Sequence, residues 1–196
     1  MITAVRTYTG LNFDPLTPDP SAVSIKDIAH SLAMTCRFNG HCRDFYSVAQ
    51  HSVHVAALLP ERLKLWGLLH DAAEAYLGDV IRPLKPFFRV HNLDLDRLEA
   101  EVLACIAQAL ELPTPLRLSE WHEILLADNR MLAHEARDLM GDPQDWPELP
   151  VVPPSTPPIH CWPPAVAKTM FLSRYEAERR RLAAPVRRGP LAEVGA

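Results

Sequence analysis

The fold and the chemistry of this chain are indicated most clearly by residues 68–74, Leu-Leu-His-Asp-Ala-Ala-Glu, where an apolar helical segment suddenly presents an imidazole and two carboxylates. On a helix, Glu74 lies four residues after His70 and three after Asp71, so the three side chains project into roughly one sector. Burying such groups costs free energy unless they have partners. A metal ion is the simplest partner for a buried His-Asp pair, because it neutralises the carboxylate and binds the neutral imidazole.

Two adjacent ligands cannot close a coordination sphere, so further ligands are expected from other helices. His51 lies on the core-facing side of the preceding predicted helix, and antiparallel packing across the Leu59-Pro60 turn would bring its ring towards His70. Asp128 is a carboxylate in apolar surroundings in a later helix. Together with Asp71 these residues predict a site for one divalent ion, of Mn, Co, Zn, Ni, Fe or Mg. A buried polar network without metal is the alternative, and it would need many hydrogen bonds to offset desolvation.

The spacing of apolar residues predicts one all-α domain over residues 1–183, followed by a mobile tail at 184–196. Residues 1–22 are predicted to form a short extended or hairpin-like lead-in, and Ser24 and Ser47 are predicted to begin the first two helices. The remaining helices are predicted at 60–76, 91–111, 118–140 and 164–182. The proline-rich residues 141–164 are predicted to cross the surface as a strap.

The bulk composition excludes several classes of protein. A length of 196 residues with 48% hydrophobic content fits a single globular domain, and a net charge of -4 argues against a protein that tracks duplex nucleic acid. The run Arg179 to Arg181 is accordingly interpreted as a solvated helix face.

The cysteines form no CxxC pair, residues 1–6 contain no apolar leader, and charged residues interrupt the apolar stretch 55–69. We therefore expect reduced thiols, a cytoplasmic location and no membrane partner.

The order His, His-Asp, Asp on successive helices resembles the HD-domain phosphohydrolases. Within that superfamily, Gln50-His51-Ser52, His-Asp-Ala-Ala-Glu at 70–74 and Gly78-Asp79 followed by Pro83-Leu84-Lys85 look like the bacterial 5′-deoxynucleotidases and the related phage deoxynucleoside triphosphate triphosphohydrolases. The resemblance covers roughly residues 24–140. It implies an HD-domain bundle of about six helices and a homo-oligomeric assembly.

The resemblance also implies a role for each motif residue. The metal ligands would be His51, His70, Asp71 and Asp128. Glu74 would be the acid or base that steers the attacking water or protonates the leaving oxygen. Asp79 resembles the second catalytic or sugar-contacting carboxylate of the family.

Three further residues resemble the family's substrate contacts. Arg37 and Lys85 look like the phosphate-binding cations, which would stabilise charge on the transferring phosphoryl group. Phe38 occupies the place where relatives carry Trp against the deoxyribose. This difference from the family concerns how strictly the site would discriminate deoxyribonucleotides from ribonucleotides, which carry a 2′-hydroxyl.

Simpler interpretations of these residues stay open at this point. Glu74 could be a solvated helix residue, and Asp79 could belong to a helix-terminating turn. Arg37 could sit near a helix C-terminus, where a cation is favourable, and Lys85 could be solvated. His54 imitates a His-x-x-His ligand pair with the histidine three residues before it, but it is interpreted as a packing or supporting histidine.

The expected reaction is metal-dependent hydrolysis of the 5′ phosphate ester of a 2′-deoxynucleotide, which converts a deoxynucleoside monophosphate to nucleoside and phosphate. A deoxynucleoside triphosphate that loses its whole triphosphate is the alternative substrate, and cationic groups beyond Arg37 and Lys85 would favour it. A non-catalytic nucleotide-binding regulatory module is an alternative of another class. The expected partner is in each case a small nucleotide, without nucleic acid or membrane.

Overall fold

Helices form most of the structure, as predicted for an all-α protein. The computed structural model describes residues 4–141, 146 and 149–184. Its helices are α1 (Ile25–Met34), α2 (Val48–Leu58), α3 (Lys64–Leu69), α4 (Glu74–Leu77), α5 (Lys85–Val90), α6 (Leu95–Ala109), α7 (Leu118–Glu135) and α8 (Pro164–Ala183). Its strands are β1 (Val5–Arg6) and β2 (Asn12–Phe13), its 3-10 turns are Pro20–Ala22, Arg37–Gly40, Glu61–Leu63 and Arg82–Leu84, and a π-turn follows α7 at Ala136–Met140. Among the described residues, no helix combines the length and the apolar character needed to cross a membrane.

The predicted lead-in is a small antiparallel hairpin of β1 and β2. Its turn is held to α1 because Thr9 donates from its amide and its hydroxyl to the Asp27 carboxylate, at 2.6 and 2.7 Å. The ring of Phe13 stacks on Tyr76 in α4, with the ring centroids 3.9 Å apart. These contacts fix the hairpin against the helical body.

Helix α2 lies at the centre of the molecule. It begins where predicted, because the Ser47 hydroxyl accepts a hydrogen bond from the Gln50 amide at 3.1 Å. Buried residues occur on every side of it, namely Val48, Ala49, Gln50, His51, Ser52, Val53, Val55 and Ala56. A helix buried on all sides belongs to the core, and α1, α3, α7 and α8 pack around α2.

The third predicted helix is interrupted, so the expectation of one continuous helix was wrong. Helix α3 ends at Leu69 and α4 begins at Glu74. His70 Nδ1 donates to the Gly67 carbonyl at 2.8 Å, and this carbonyl would accept from the Asp71 amide in a regular α-helix. The backbone tightens instead, with the Glu74 amide bonded to the Asp71 carbonyl at 3.0 Å. The chain therefore turns where the His-Asp pair occurs.

The proline-containing segment after Asp79 also differs from the prediction, which placed Lys85 in a loop and began the next helix at residue 91. Lys85 begins the short helix α5, and Pro86 occupies its first turn, where a missing N–H costs nothing. Helix α6 starts at Leu95, because the Asp94 carboxylate accepts from the Arg97 amide at 3.0 Å and caps that end.

The predicted strap is present over the described residues 149–163 and is tied to α2. Gln50 Nε2 donates to the His160 carbonyl at 2.7 Å, and Gln50 Oε1 accepts from the Trp162 amide at 2.8 Å. Helix α8 follows the strap and packs against α1, α2 and α3. The predicted tail at 184–196 lies outside the described residues, apart from Ala184.

Candidate metal centre

Three of the predicted ligands converge between α2 and the end of α3. One ligand atom each of His51, His70 and Asp71 lies within 4.8 Å of the other two. Gly67 allows a close contact between α3 and the turn after α2, because a Cβ at position 67 would overlap the Leu59 Cδ1 atom unless that side chain moved. The imidazole centroids of His51 and His70 are 5.4 Å apart.

Hydrogen bonds fix which nitrogen of each ring faces the cluster. His70 Nδ1 donates to the Gly67 carbonyl, and His51 Nδ1 donates to Glu135 Oε1 at 2.6 Å. A carbonyl or carboxylate oxygen can only accept, so in each neutral ring the lone pair is on Nε2. Both Nε2 atoms are buried and have no hydrogen-bond partner within the described part of the chain.

Carboxylate oxygens stand opposite these two nitrogens. Asp71 Oδ2 lies 3.2 Å from His70 Nε2 and 3.5 Å from His51 Nε2. Asp128, on α7, adjoins the group through His51, with Oδ1 at 3.3 Å from the same Nε2 atom. The four residues thus present two nitrogen and two oxygen donors, a set that suits divalent transition metals.

The electrostatics of the cluster attract positive charge. Burial alone would raise the pKa of Asp71, but the rings of His70 and His51 outweigh it and lower that pKa to about 2. Burial also opposes ionisation of Asp128, yet the adjacent ring of His51, followed by His70 and Arg37, keeps its pKa below the usual range. For His51, burial and the nearby Arg37 act to lower the pKa, while Glu135 and Asp128 raise it to about 9. Both carboxylates are therefore ionised and favour a positive charge at His51 Nε2, which is either a proton or a metal ion that displaces the proton.

Glu135, at the end of α7, is a site residue that the sequence analysis missed. It is fully buried, and its two oxygens accept from different partners: Oε1 from His51 Nδ1, and Oε2 from Arg37 Nε at 3.1 Å. Burial raises the pKa of Glu135, but Arg37 and His51 outweigh it and keep the carboxylate ionised. A signal was available, because Glu135 follows Asp128 by seven residues and so shares its helix face.

Arg37 bridges Glu135 and the cluster. Its Nη1 atom lies 3.8 Å from Asp71 Oδ2, and its side chain is 11% exposed. Burial alone would lower the pKa of Arg37, but the surrounding carboxylates, led by Glu135 and Asp71, raise it, so the guanidinium stays charged. The simpler interpretation of Arg37, a cation placed near a helix C-terminus, does not by itself account for these carboxylate partners.

Glu74 and Asp79 face the cluster from α4 and the residues that follow it. The Glu74 Oε2 atom is buried and has no hydrogen-bond partner among the described residues. Burial, followed by the charges of Asp71 and Asp79, raises the pKa of Glu74 well above its usual value. Burial likewise raises the pKa of Asp79, and Arg37 partly offsets this effect. Glu74 therefore holds its proton to higher pH than a solvated glutamate.

The cluster opens onto a cleft of about 740 Å³. All the predicted catalytic and substrate-binding residues line it, namely Arg37, Phe38, Glu74, Asp79 and Lys85, together with the predicted ligands Asp71 and Asp128. The rings of His51 and His70 are almost inaccessible to solvent and lie behind these carboxylates. The structure therefore gathers every predicted site residue at one place.

Phe38 is held at the cleft by an unusual backbone conformation. Phe38 and Asn39 have φ values of 56° and 51°, a left-handed region that costs free energy for a bulky residue. The Phe38 ring faces that of Trp146, with centroids 6.3 Å apart and an interplanar angle of 29°. The Arg37 guanidinium carbon lies 5.4 Å from the Phe38 ring centroid. An aromatic surface therefore adjoins the buried cation.

Two further cations line the cleft, and both are ion-paired. Lys85 Nζ donates to both carboxylate oxygens of Glu99, at 3.2 and 3.1 Å. Arg82, which the sequence analysis did not single out, donates to Asp128 Oδ2 at 2.9 Å while its side chain is 55% exposed. The pairing with Asp128 depends on how the segment after α4 folds back over α7, which no local pattern indicates.

His54 is a supporting histidine and does not join the cluster, as interpreted from the sequence. Its Nδ1 atom lies 3.2 Å from the Tyr46 hydroxyl, and its ring meets Trp162 edge-on at 5.2 Å. Burial lowers the pKa of His54 to about 4, so the ring is neutral near pH 7.

Comparison with known proteins gives two relatives of similar length. No protein-family model matches the chain. The sequence is 37% identical over 176 residues to the uncharacterized protein YfdR of Escherichia coli strain K12, an alignment that covers 87% of this chain and 93% of that protein. It is 38% identical over 146 residues to an uncharacterized protein of Rhodobacter capsulatus, covering 69% of this chain and 72% of the relative. Both alignments extend over most of the domain, and neither name states an activity.

Proposed function

The chain belongs to the protein family of YfdR, and from the chemistry of its site we propose that it is an HD-type, metal-dependent phosphohydrolase that cleaves the 5′ phosphate ester of 2′-deoxynucleoside monophosphates. One observation carries this proposal. Two buried imidazole nitrogens, Nε2 of His51 and of His70, have no hydrogen-bond partner among the described residues and face the carboxylates of Asp71 and Asp128.

The residues present fit a divalent ion. Leaving two buried imidazole nitrogens without a hydrogen-bond partner costs free energy, and coordination of a metal ion, with loss of any proton on Nε2, would satisfy both. The Nδ1–H bonds of the two rings to Glu135 and to the Gly67 carbonyl are the supporting bonds that metal-ligating histidines usually make. When bound, such an ion would supply an activated water and would neutralise charge on the phosphoryl group.

The chain's own residues would supply the remaining chemistry. Glu74 holds a proton next to the cluster and is proposed as the acid that protonates the leaving 5′ oxygen. Arg37 is a buried guanidinium that lines the cleft and is proposed to bind the phosphate. Asp79 is proposed to contact the sugar, and the Phe38 ring to pack against the deoxyribose. The cleft volume of about 740 Å³ lies in the usual range for small-molecule sites.

The charges of the cleft favour a monophosphate. Its described lining contains three cationic side chains, Arg37, Arg82 and Lys85, and four carboxyl groups, of which Glu74 is proposed to keep its proton and the others are Asp71, Asp79 and Asp128. Because Arg82 and Lys85 are already paired with carboxylates, little positive charge beyond Arg37 and a bound metal is left for the substrate. This balance suits one phosphate group better than the more highly charged triphosphate.

Arg82 nevertheless supports a second candidate, a deoxynucleoside triphosphate triphosphohydrolase. It is a third cation at the cleft, and its exposed side chain could leave Asp128 to bind further phosphate groups. Both reactions break the same ester bond, so only the product separates them.

A substrate screen tests the proposal. Deoxy- and ribonucleoside mono-, di- and triphosphates should be incubated with Mn²⁺, Co²⁺ or Mg²⁺, and in parallel with a chelator. We expect inorganic phosphate from deoxynucleoside monophosphates, and none after chelation. Release of intact triphosphate would favour the second candidate, and no hydrolysis of any nucleotide with any of the metals would contradict both.

A further inference from the structure

We propose that Glu135 is a positioning residue, whose single carboxylate orients both a metal-ligating imidazole and the phosphate-binding guanidinium. The inference rests on the function proposed above. Glu135 itself does not line the cleft described for the site, so it would act through His51 and Arg37 rather than on the substrate.

The geometry assigns each carboxylate oxygen of Glu135 to one partner. Oε1 accepts from His51 Nδ1 at 2.6 Å, a short distance for such a bond. Oε2 accepts from Arg37 Nε at 3.1 Å. The carboxylate has no exposed surface, so water does not compete for either oxygen.

The bond to His51 fixes both the tautomer and the direction of the ring. With the proton on Nδ1 held by Glu135, the Nε2 lone pair is directed to Asp71 and Asp128. If the carboxylate were removed, the ring could rotate or place its proton on Nε2. We therefore expect metal affinity to fall.

The bond to Arg37 fixes the guanidinium by its Nε atom. The Nη1 atom then lies 3.8 Å from Asp71 Oδ2, at the boundary between the cluster and the cleft. Because Nε is occupied by Glu135, the terminal nitrogens are left for a substrate phosphate. Loss of Glu135 should therefore also raise KM, whereas loss of Arg37 alone should raise KM without weakening metal binding.

The experiment compares Glu135→Gln with Glu178→Gln in the full-length protein. Glu178 is a matched control, because it is also buried and accepts from an arginine, Arg181, at 2.9 Å, but it lies on α8 and does not line the cleft. Binding of Mn²⁺ alone is titrated, so the readout does not depend on turnover. Glu135→Gln should weaken Mn²⁺ binding about 10- to 100-fold, and Glu178→Gln should leave it unchanged.

A spectroscopic signature separates positioning from general loss of stability. In the zinc-loaded protein, the short bond to Glu135 should shift the His51 Nδ1 proton far downfield in the proton NMR spectrum. This resonance should be lost or moved upfield in Glu135→Gln and kept in Glu178→Gln. Kinetic constants should show non-additivity, so that Arg37→Ala raises KM less in the Glu135→Gln background than in the wild type.

The outcomes distinguish this inference from the proposed function. Wild-type protein that binds neither Mn²⁺ nor Zn²⁺ contradicts the metal centre itself. Wild-type binding that a folded Glu135→Gln variant retains in full overturns only the role of Glu135. If Glu135→Gln does not fold, Glu135→Asp replaces it: the shorter carboxylate keeps its charge but cannot reach both partners, and undiminished Mn²⁺ affinity together with unchanged KM in that variant overturns the inference.

Discussion

The cleft has an outer wall of lining residues and, behind it, a buried inner wall that does not line the cleft, and the two are built in different ways. The inner wall consists of His51, His70 and Glu135, which are 0%, 8% and 0% exposed and whose supporting hydrogen bonds all come from the protein. The outer wall includes Phe38 and Arg82, and Arg82 makes an ion pair that solvent can reach. Exposed ion pairs contribute little to stability and exchange easily. The inner wall should therefore determine metal retention, and the outer wall substrate choice.

The largest effect should come from removing the carboxylate shared by both rings. Asp71→Ala deletes the oxygen that lies 3.2 Å from His70 Nε2 and 3.5 Å from His51 Nε2, so bound metal and phosphohydrolase activity should both fall to background. Metal content after dialysis and phosphate release measure the two losses. Asp96→Ala, at a half-exposed aspartate paired with Arg89, is the control and should change neither. Full activity in Asp71→Ala would refute its role as a ligand.

The second largest effect should be a loss of turnover without a loss of bound metal, which separates catalysis from metal binding. Glu74→Gln keeps the size of the side chain but removes the transferable proton, so kcat should fall about 100- to 10,000-fold. Metal content should stay at the wild-type level, because Glu74 is not among the proposed ligands. Glu101→Gln, at a carboxylate paired with Arg97 on α6, serves as the control. A variant with normal turnover would exclude Glu74 as the acid.

A smaller effect is expected at the outer wall. Phe38→Trp introduces a larger ring, which should pack more closely against the sugar. The preference in kcat/KM for deoxy- over ribonucleoside monophosphates should rise about 10-fold, with metal content unchanged. Phe87→Trp, at an exposed position of α5 outside the cleft lining, is the matched control. An unchanged preference would show that Phe38 does not contact the sugar.

The smallest effect concerns the buried histidine that is not a ligand. Burial lowers the pKa of His54 to about 4, against 6.5 in an unfolded chain. The unfolded state therefore binds more protons between these pH values, so this contribution to stability is complete above pH 6.5 and is lost as the pH falls towards 4. Between pH 7 and pH 4.5, the unfolding free energy of a variant without the His54 imidazole should therefore fall by about 2 kcal/mol less than that of the wild type.

Denaturant unfolding of the wild type and of His54→Gln at several pH values measures this difference. The comparison uses the slope of the unfolding free energy with pH, because the substitution also changes packing against Tyr46 and Trp162. Parallel pH profiles for the two proteins would show that His54 does not titrate differently on folding.

Features with a local cause were predicted correctly from the sequence. The N-caps Ser24 and Ser47 and the extents of α1, α2 and α8 follow from hydrogen bonds and apolar spacing within one segment. The convergence of His51 with His70 could also be predicted, since a short turn makes α2 and α3 antiparallel neighbours. The proposed ligand set was reached by the resemblance as well as by these patterns.

Features that depend on tertiary contacts were not predicted. The turn after Leu69 occurs where the His70 ring donates a hydrogen bond to the Gly67 carbonyl, and the spacing of apolar residues does not predict this bond. Arg82 reaches Asp128 only through the path of the chain between α4 and α5. Glu135 is an intermediate case, because its position on the face of Asp128 was visible, while its two partners come from 84 and 98 residues away.

The close contact at Gly67 has a consequence for the geometry of the candidate metal centre. The distance between the His51 and His70 rings depends on how near α2 and α3 come to each other, and the missing Cβ at position 67 leaves room for the Leu59 side chain between them. A bulky side chain at position 67 would meet the Leu59 side chain and the Ala56 backbone, so either the Leu59 side chain or the spacing between α2 and α3 would have to change. The spacing of the His51 and His70 rings is therefore sensitive to the size of the side chain at position 67.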